Sequence, residues 1–308
     1  PFHVARQFAT VDHLTGGRAA WNVVTSLNEG EAWNMGRNEV MEHDSRYDRA
    51  DEFMEVVTGH WKSWAPDALV LDKASGLFAH PEKVHRLDHK GEHFASRGPF
   101  TVPRTPQGHP VIIQAGQSGR GRKFAGRWAE VIFAGGGPLA VQQAGYKAVK
   151  DEIAAAGRNP DHVHLCTLVH TVCAATKSEA EDRMAYIETL PLEIDALSLL
   201  SEALNFDFAT KGMDEPFSDE EMASIGGIQT MRDRVVQASG KKNPTTRDFI
   251  TITGRGRPHG AVVGGPKDVA DKLEELFINR GCDGFVVGAT HVPGAYADFV
   301  DHVVPELQ

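Results

Sequence analysis

A chain of 308 residues is long enough for one large domain or two ordinary ones with a sizeable core. Its composition, 41% apolar and 24% charged, is that of a globular, enzyme-like protein. A formal charge of −10 argues against nucleic acid as a partner, because phosphate binding draws on concentrated Lys and Arg. No stretch approaches the ~20 apolar residues that span a bilayer, so no membrane is expected. Cys166, Cys173 and Cys282 form no CxxC pair, which suits buried thiols in a reducing cytoplasm.

In chain order, Pro1–Leu14 carries an apolar helical stripe (Phe2, Val4, Ala5, Phe8, Leu14) that stops at Gly16-Gly17. Arg18–Thr25 reads as a strand. Phe53, Val56, Val57 and Trp61 predict an amphipathic helix over Arg46–Trp64. Val84, Leu87 and Phe94 around Lys90-Gly91 predict a hairpin. The chain then alternates: strands at Val111–Ala115, Val131–Ala134 and His164–Ala174, helices at Lys123–Trp128, Leu139–Ala156 and Ser178–Leu190. A long polar and helical insertion follows. The cap Gly264-Gly265-Pro266-Lys267 then opens a helix to Arg280, Gly284–Gly288 is a last strand, and a helix over Ala295–Leu307 closes the chain. Strands alternating with helices imply a mostly parallel sheet, open or closed as a (β/α)8 barrel. About five core strands are visible, so a barrel would lack three βα units, roughly 100 residues. The opening Pro-Phe-His-Val, without Met, fits an N-terminal portion missing from the chain.

The segment Pro110–Gly136 is the most informative. A buried strand breaks into glycines (Gly116–Gly121) and opens a helix, the arrangement that aims backbone N–H groups and a helix dipole at a phosphate. A phosphorylated cofactor at the C-terminal ends of parallel strands is therefore expected. Gly121 is followed by Arg122-Lys123-Phe124 rather than Lys-Ser/Thr, which excludes a Walker loop. Ser118 and the adjoining N–H groups suit a monophosphate, or equally a tight turn alone.

His43 and Tyr47 lie one helical turn apart at a helix entrance, where both can face one ligand; Arg46 adds a charged fork. A capping Asp44 and a packed Tyr47 are the plainer alternative. His80, His85, His89 and His93 lack the regular spacing and carboxylate or thiolate partners of a metal site, so no metal is expected. Gly254–Gly260 (GRGRPHG) has no dinucleotide-fingerprint context and reads as a mobile loop able to cover an active site. With no GxSxG, HExxH or Cys–His signature, a cofactor is left to carry the chemistry.

Five blocks, DHLTGGRAAWNVVTSLN, HDSRYDRADEF, KVHRLDHKGEHFASRGPF, PQGHPVIIQAGQSGRGRKFAGRWAEVIF and VVGGPKDVADKLEELFINRGCDGF, together resemble one family in order over nearly the whole chain. It is the nitrilotriacetate and dibenzothiophene-sulfone monooxygenase group of the bacterial luciferase-like superfamily. The resemblance implies a single TIM-type (β/α)8 barrel domain over residues 1–308, here without its first three βα units. It also implies a hairpin insertion near 67–108 and a lid or substrate insertion near 191–260. The implied function is an FMNH2-dependent monooxygenase of a two-component system, oxygenating a small organic substrate with O2 through a flavin C4a-peroxide, often with C–N or C–S cleavage. An NAD(P)H:flavin reductase would supply the reduced FMN, and a homo-oligomer is possible. Carried over residue by residue, the family's FMN-binding positions match His43, Tyr47 and Ser118, with Asn22 and Thr25 at a strand end of the flavin pocket. The family's Asp and Thr flavin contacts precede the first residue here, and Gln117 stands where a small residue is frequent. Two alternatives stay open: a deazaflavin-dependent luciferase-like oxidoreductase, and a noncatalytic flavin-binding partial barrel.

Overall fold

The computed structural model describes residues 1–116, 118–254 and 260–308. In chain order these form α1 (Phe2–Leu14), β1 (Ala20–Asn22), α2 (Glu29–Asn34) and α3 (His43–Trp61). Two hairpins follow, β2 (Leu69–Asp72) with β3 (Leu77–Ala79) and β4 (His89–Lys90) with β5 (Ala95–Ser96). Next come β6 (Val111–Gln114), α4 (Gly119–Trp128), β7 (Val131–Ala134), α5 (Leu139–Ala155), β8 (His164–Cys173) and α6 (Lys177–Glu188). Helices α7 (Glu193–Leu204), α8 (Asp219–Ser224), α9 (Gln229–Ser239) and α10 (Thr246–Thr253) precede β9 (Val262–Gly264), α11 (Pro266–Ile278), β10 (Gly284–Gly288) and α12 (Gly294–Asp298).

The chain divides into two compact units. One comprises Pro1–Thr25, Met41–Phe133 and Lys147–Leu165; the other comprises Ser26–Val40, Ala134–Tyr146 and Cys166–Gln308.

In the first unit β1, β6 and β7 are parallel, with Trp21 opposite Ile112 and Ile113 opposite Val131. Along β6, Ile112 and Gln114 are buried while Val111 and Ile113 are less so, the period-2 alternation of a strand. Ala5 and Ala9, one turn apart on α1, are fully buried, which lets α1 lie close to α3; Trp61 Nε1 donates to Ala5 O at 3.0 Å across that seam. Met54, Val57, Phe100 and Phe124 complete this core. Asp12 is a buried carboxylate that accepts from Ala19 N–H (3.2 Å) and Gln107 Nε2 (2.6 Å), and so ties the loop before β6 to the entry of β1.

In the second unit β10 and β9 both pair in parallel with β8, β10 along residues 166–170 and β9 along 171–173, with His170 opposite Gly288 and Thr171 opposite Val262. Val169 and Cys173 pack against Val269, Leu273 and Leu276 of α11. The insertion between α6 and β9 folds around its own cluster: Phe208, Phe217 and Phe249 meet edge to face with ring centroids 5.1–5.7 Å apart, alongside Leu200, Leu204 and Val235. Gly227 (φ +61) passes so close to α7 that a Cβ there would stand 2.2 Å from Ala203 O.

Most expected elements are present; α3 runs His43–Trp61 rather than Arg46–Trp64, β1 is shorter than Arg18–Thr25, α2 is an added short helix, and three further differences stand out. Among the described residues the parallel strands number six rather than five, because Val262–Gly264 pairs with β8 as a strand instead of serving only as the cap of α11. Helix α4 starts at Gly119 rather than Lys123, so part of the glycine-rich segment is its first turn. The closing helix is broken: α12 ends at Asp298 and the chain continues through a π-turn (Phe299–Val303) and a 3-10 turn. Gln117 and Arg255–His259, the core of the expected mobile loop, lie outside the described residues.

Candidate active site

The candidate site belongs to the first unit and starts where β6 ends. Gln114, almost fully buried, turns its side chain back so that Oε1 accepts the Gly116 N–H at 2.7 Å. Ser118 is the N-cap of α4: its Oγ accepts the Gly121 N–H at 3.0 Å. The remaining N–H groups of that first turn have no acceptor within the helix, and the positive end of the helix dipole lies there.

Helix α3 delivers the other half. Glu42 caps it by accepting the Ser45 N–H at 2.9 Å, and the backbone hydrogen bonds from Ser45 and Asp44 hold the Glu42 carboxyl below the usual range. His43 is the first residue of the helix and Tyr47 stands one turn on, with ring centroids 5.2 Å apart. His43 is half-exposed, and its Nδ1 lies 2.6 Å from Asp44 Oδ1. An ionised carboxylate only accepts, so Nδ1 is the donor of this pair. Tyr47 is 6% exposed and packs on Phe124, centroids 5.5 Å apart.

The two halves meet at the Tyr47 hydroxyl. A Cβ on Gly116 would stand 2.6 Å from that oxygen, and one on Gly121 would stand 2.9 Å from it. Real Cβ contacts do not come this close, so the glycines are required for the phenol to reach the turn. Of the predicted residues, the structure thus brings Tyr47 and Ser118 to one turn, while His43 lies against the Tyr47 ring. Asn22 ends β1, exposed and opposite Ile113, and Val23 N–H extends the pairing by donating to Ile113 O at 2.9 Å; Thr25 follows three residues past the strand.

Two features were missed from sequence. One is Gln114, whose side chain shapes the strand exit. The other is Arg120, which donates to Asp48 Oδ1 (2.8 Å) and Asp51 Oδ2 (2.5 Å) and sits over the Tyr47 ring, 5.6 Å from its centroid. Burial works against the Arg120 charge, but the hydrogen bonds to Asp48 and Asp51 outweigh it and raise its pKa. The available signal was a stripe of Asp48, Asp51 and Glu55 on α3 facing Arg120 and Arg127 on α4.

Elsewhere, His89 Nε2 meets Glu52 at 3.0 Å and His80 lies 3.5 Å from Glu82. Among the described residues no three His, Cys, Asp or Glu side chains converge to hold a metal. Burial raises the thiols of Cys166, Cys173 and Cys282 above their ordinary pKa. The second unit contains a cavity of about 610 Å³ lined by Met184, Leu192, Ala196, Met213, Ile250 and Arg247, the last paired through two hydrogen bonds with Asp214. Among the described residues no helix is long and apolar enough to cross a membrane.

A parallel α/β scaffold with a glycine-rich turn at a strand end is a framework used for phosphorylated cofactors, and the likeness to known proteins narrows the class. The chain belongs to the luciferase-like monooxygenase family, whose model matches residues 1–284. It is 45% identical over 317 aligned residues to the dibenzothiophene-sulfone monooxygenase of Rhodococcus erythropolis, covering 100% of this chain and 68% of that protein. It is 39% identical to nitrilotriacetate monooxygenase component A of Aminobacter aminovorans, again over 100% of this chain and 68% of the relative. Among solved structures, a riboflavin lyase bound to a modified FMN and riboflavin superposes with a TM-score of 0.87 at 35% identity, covering 100% of this chain and 67% of that one. The fold is that of the TIM-type luciferase-like enzymes, and the protein is a flavin-dependent monooxygenase using reduced FMN and O2. The Aminobacter relative is named as one component, component A, of its monooxygenase.

Proposed function

We propose that FMN is held in the first unit with its phosphate at the Ser118 turn, and that the substrate is a small organic sulfur or nitrogen compound. The observation that supports this reading most is the Tyr47 hydroxyl set against Gly116 and Gly121 beside the N-terminus of α4. A phenol and helix N–H groups, with the Ser118 hydroxyl, make a neutral donor set suited to a phosphate dianion. The residues therefore fit the cofactor.

Reduced FMN, when bound, supplies the electrons with which O2 is activated and one oxygen atom enters the substrate. The protein's own groups bind, orient and exclude water. Tyr47 and Ser118 anchor the phosphate end. His43, with Nδ1 committed to Asp44, presents Nε2 to the flavin ring or to the reacting oxygen. Asn22 and Thr25 contribute from the end of β1. The insertion over 191–260, with its own phenylalanine core and the neighbouring cavity, acts as the substrate-selecting lid. An NAD(P)H:flavin reductase is the source of reduced FMN, and self-association of the oxygenase, readable by sedimentation, belongs to the same proposal.

The deciding experiment supplies FMNH2 from a flavin reductase and follows O2 uptake and product with dibenzothiophene sulfone, nitrilotriacetate and N-acetyl-S-(2-succino)cysteine, chosen after the relatives. Substrate-dependent oxygen incorporation is expected. Uptake that yields only hydrogen peroxide with every sulfur and nitrogen compound would refute the substrate class. For His43, His43→Ala is expected to raise the share of O2 uptake released as hydrogen peroxide rather than coupled to product; unchanged coupling removes it from the chemistry.

A further inference from the structure

We infer that Arg120 is a positioning residue for Tyr47, and that its pairing with Asp48 and Asp51 sets the preference of the site for a phosphorylated over a dephosphorylated flavin. The inference rests on the proposed placement of the phosphate at the Ser118 turn. Arg120 is the second residue of α4, yet its guanidinium leaves that helix and reaches α3. There it meets the residues one and four positions after Tyr47, while its Cζ lies over the Tyr47 ring. One side chain thus brackets Tyr47 on two sides. Asp51 is held in turn by Trp128 Nε1 at 2.6 Å and by Arg127 at 3.3 Å, so the seam between the two helices is tied along its length.

Two consequences follow, one mechanical and one electrostatic. The Tyr47 hydroxyl has no slack against Gly116 and Gly121, so a slip of α3 along α4 by a fraction of an ångström moves the phenol off the turn. The charge argument concerns what remains without Arg120. Asp48 and Asp51 now neutralise the guanidinium; with Arg120 gone, Asp48 loses its partner while Asp51 keeps Arg127 and Trp128, so the seam gains net negative charge, and a dianion feels that repulsion far more than a neutral ribityl hydroxyl does. Both effects fall on the phosphate. Neither penalises the isoalloxazine ring.

The test compares equilibrium binding of FMN and of riboflavin, by flavin fluorescence, in the wild type, Arg120→Gln, Arg120→Lys and the triple variant Arg120→Gln/Asp48→Asn/Asp51→Asn. A second readout needs no flavin: 19F NMR of 3-fluorotyrosine-labelled protein, with the Tyr47 signal assigned through Tyr47→Phe. Arg120→Gln should weaken FMN binding ~10-fold, equivalent to about 1.4 kcal/mol, with riboflavin changed less than about twofold. The Tyr47 resonance should shift or broaden in the same variant, and Arg120→Lys should recover part of both effects. The triple variant should regain FMN affinity relative to Arg120→Gln, since the repulsive charges go with the guanidinium. If FMN and riboflavin weaken together, or neither changes, or the Tyr47 signal stays put, Arg120 is only a strut between helices and the inference fails. Should Arg120→Gln not fold, Arg120→Lys carries the same comparison. Wild-type protein that binds FMN no tighter than riboflavin would instead overturn the phosphate placement itself.

Discussion

The hydroxyl of Tyr47 occupies the space that a side chain at Gly116 would need: a Cβ built there stands 2.6 Å from the phenol oxygen and 2.5 Å from Gln114 Nε2. Tyr47 and Gly116 are 69 positions apart in the chain. The relationship exists because α3 and α4 are packed side by side, through Tyr47 on Phe124 and through the Arg120 ion pairs.

Gly116→Ala should therefore act through Tyr47. Overpacking at such a site costs about 1–3 kcal/mol, and the displaced phenol should weaken FMN binding ~10-fold. Tyr47→Phe removes one of the two obstructing atoms, so it should cost less in the Gly116→Ala background than alone. Urea unfolding of the four proteins of this cycle measures the coupling. Strictly additive effects would mean that the two residues do not limit one another.

Ser118 has two separable roles, as helix cap and as proposed phosphate donor. Ser118→Ala should lower stability by about 1 kcal/mol, whereas Ser118→Gly should cost only a few tenths, because glycine is tolerated at an N-cap. Both variants lose the hydroxyl, so both should lose FMN affinity to a similar extent. Thermal melts and FMN titrations on the pair give the answer. If affinity instead tracks stability, Ser118 is a cap and no more.

Glu52 gives the structure an acid-sensitive point. Burial alone would raise its pKa, but hydrogen bonds from His89 (3.0 Å) and from the His93 (2.7 Å) and Phe94 (2.8 Å) N–H groups prevail and hold it at about 2, against an ordinary value of 4.5. The folded pKa is thus the lower one. Its stabilisation is complete above the unfolded value of 4.5 and is lost as pH falls from there through about 2. Protection of the β4–β5 hairpin amides, taken as exchange relative to the intrinsic rate at each pH from 6 to 2, should fall across that window in the wild type. In Glu52→Gln the hairpin should exchange faster at neutral pH and with a flatter pH dependence. Identical pH profiles for the two proteins would count against this clamp.

Phe208 tests the independence of the insertion. It is fully buried against Phe217 and Phe249, and truncating such a phenylalanine costs about 3–5 kcal/mol. Phe208→Ala should expose 191–260 to limited proteolysis. FMN binding, assigned to the first unit, should persist while coupled substrate oxygenation falls and peroxide release rises. Loss of FMN binding in this variant would show that the insertion is not a separate lid.

Much was legible before any coordinates. The apolar stripe of α3 was readable because 3.6-residue periodicity is a local property, and it located the helix entrance bearing His43 and Tyr47. The strand, glycine run and helix around Ser118 were readable for the same reason. Local signals failed where elements are short or held from outside. Three residues of β9 are too few to show alternation, and only pairing with β8 makes them a strand. The glycines at the start of α4 have turn propensity, yet the Ser118 cap and the Tyr47 contact draw Gly119–Gly121 into the helix.

The amino-acid order by itself determined the chemical parts of this protein: a flavin-oxygenase pattern in ordered blocks, a phosphate-type turn and a His–Tyr helix entrance. Only the tertiary structure decided which parts touch. Arg120 pairs with Asp48 and Asp51 across separations of 72 and 69 residues. Gly116 owes its identity to a phenol from another helix. The reason is physical: propensity and periodicity act within a turn or two of chain, whereas contacts between helices are chosen by the packing of whole faces, which no local stretch encodes.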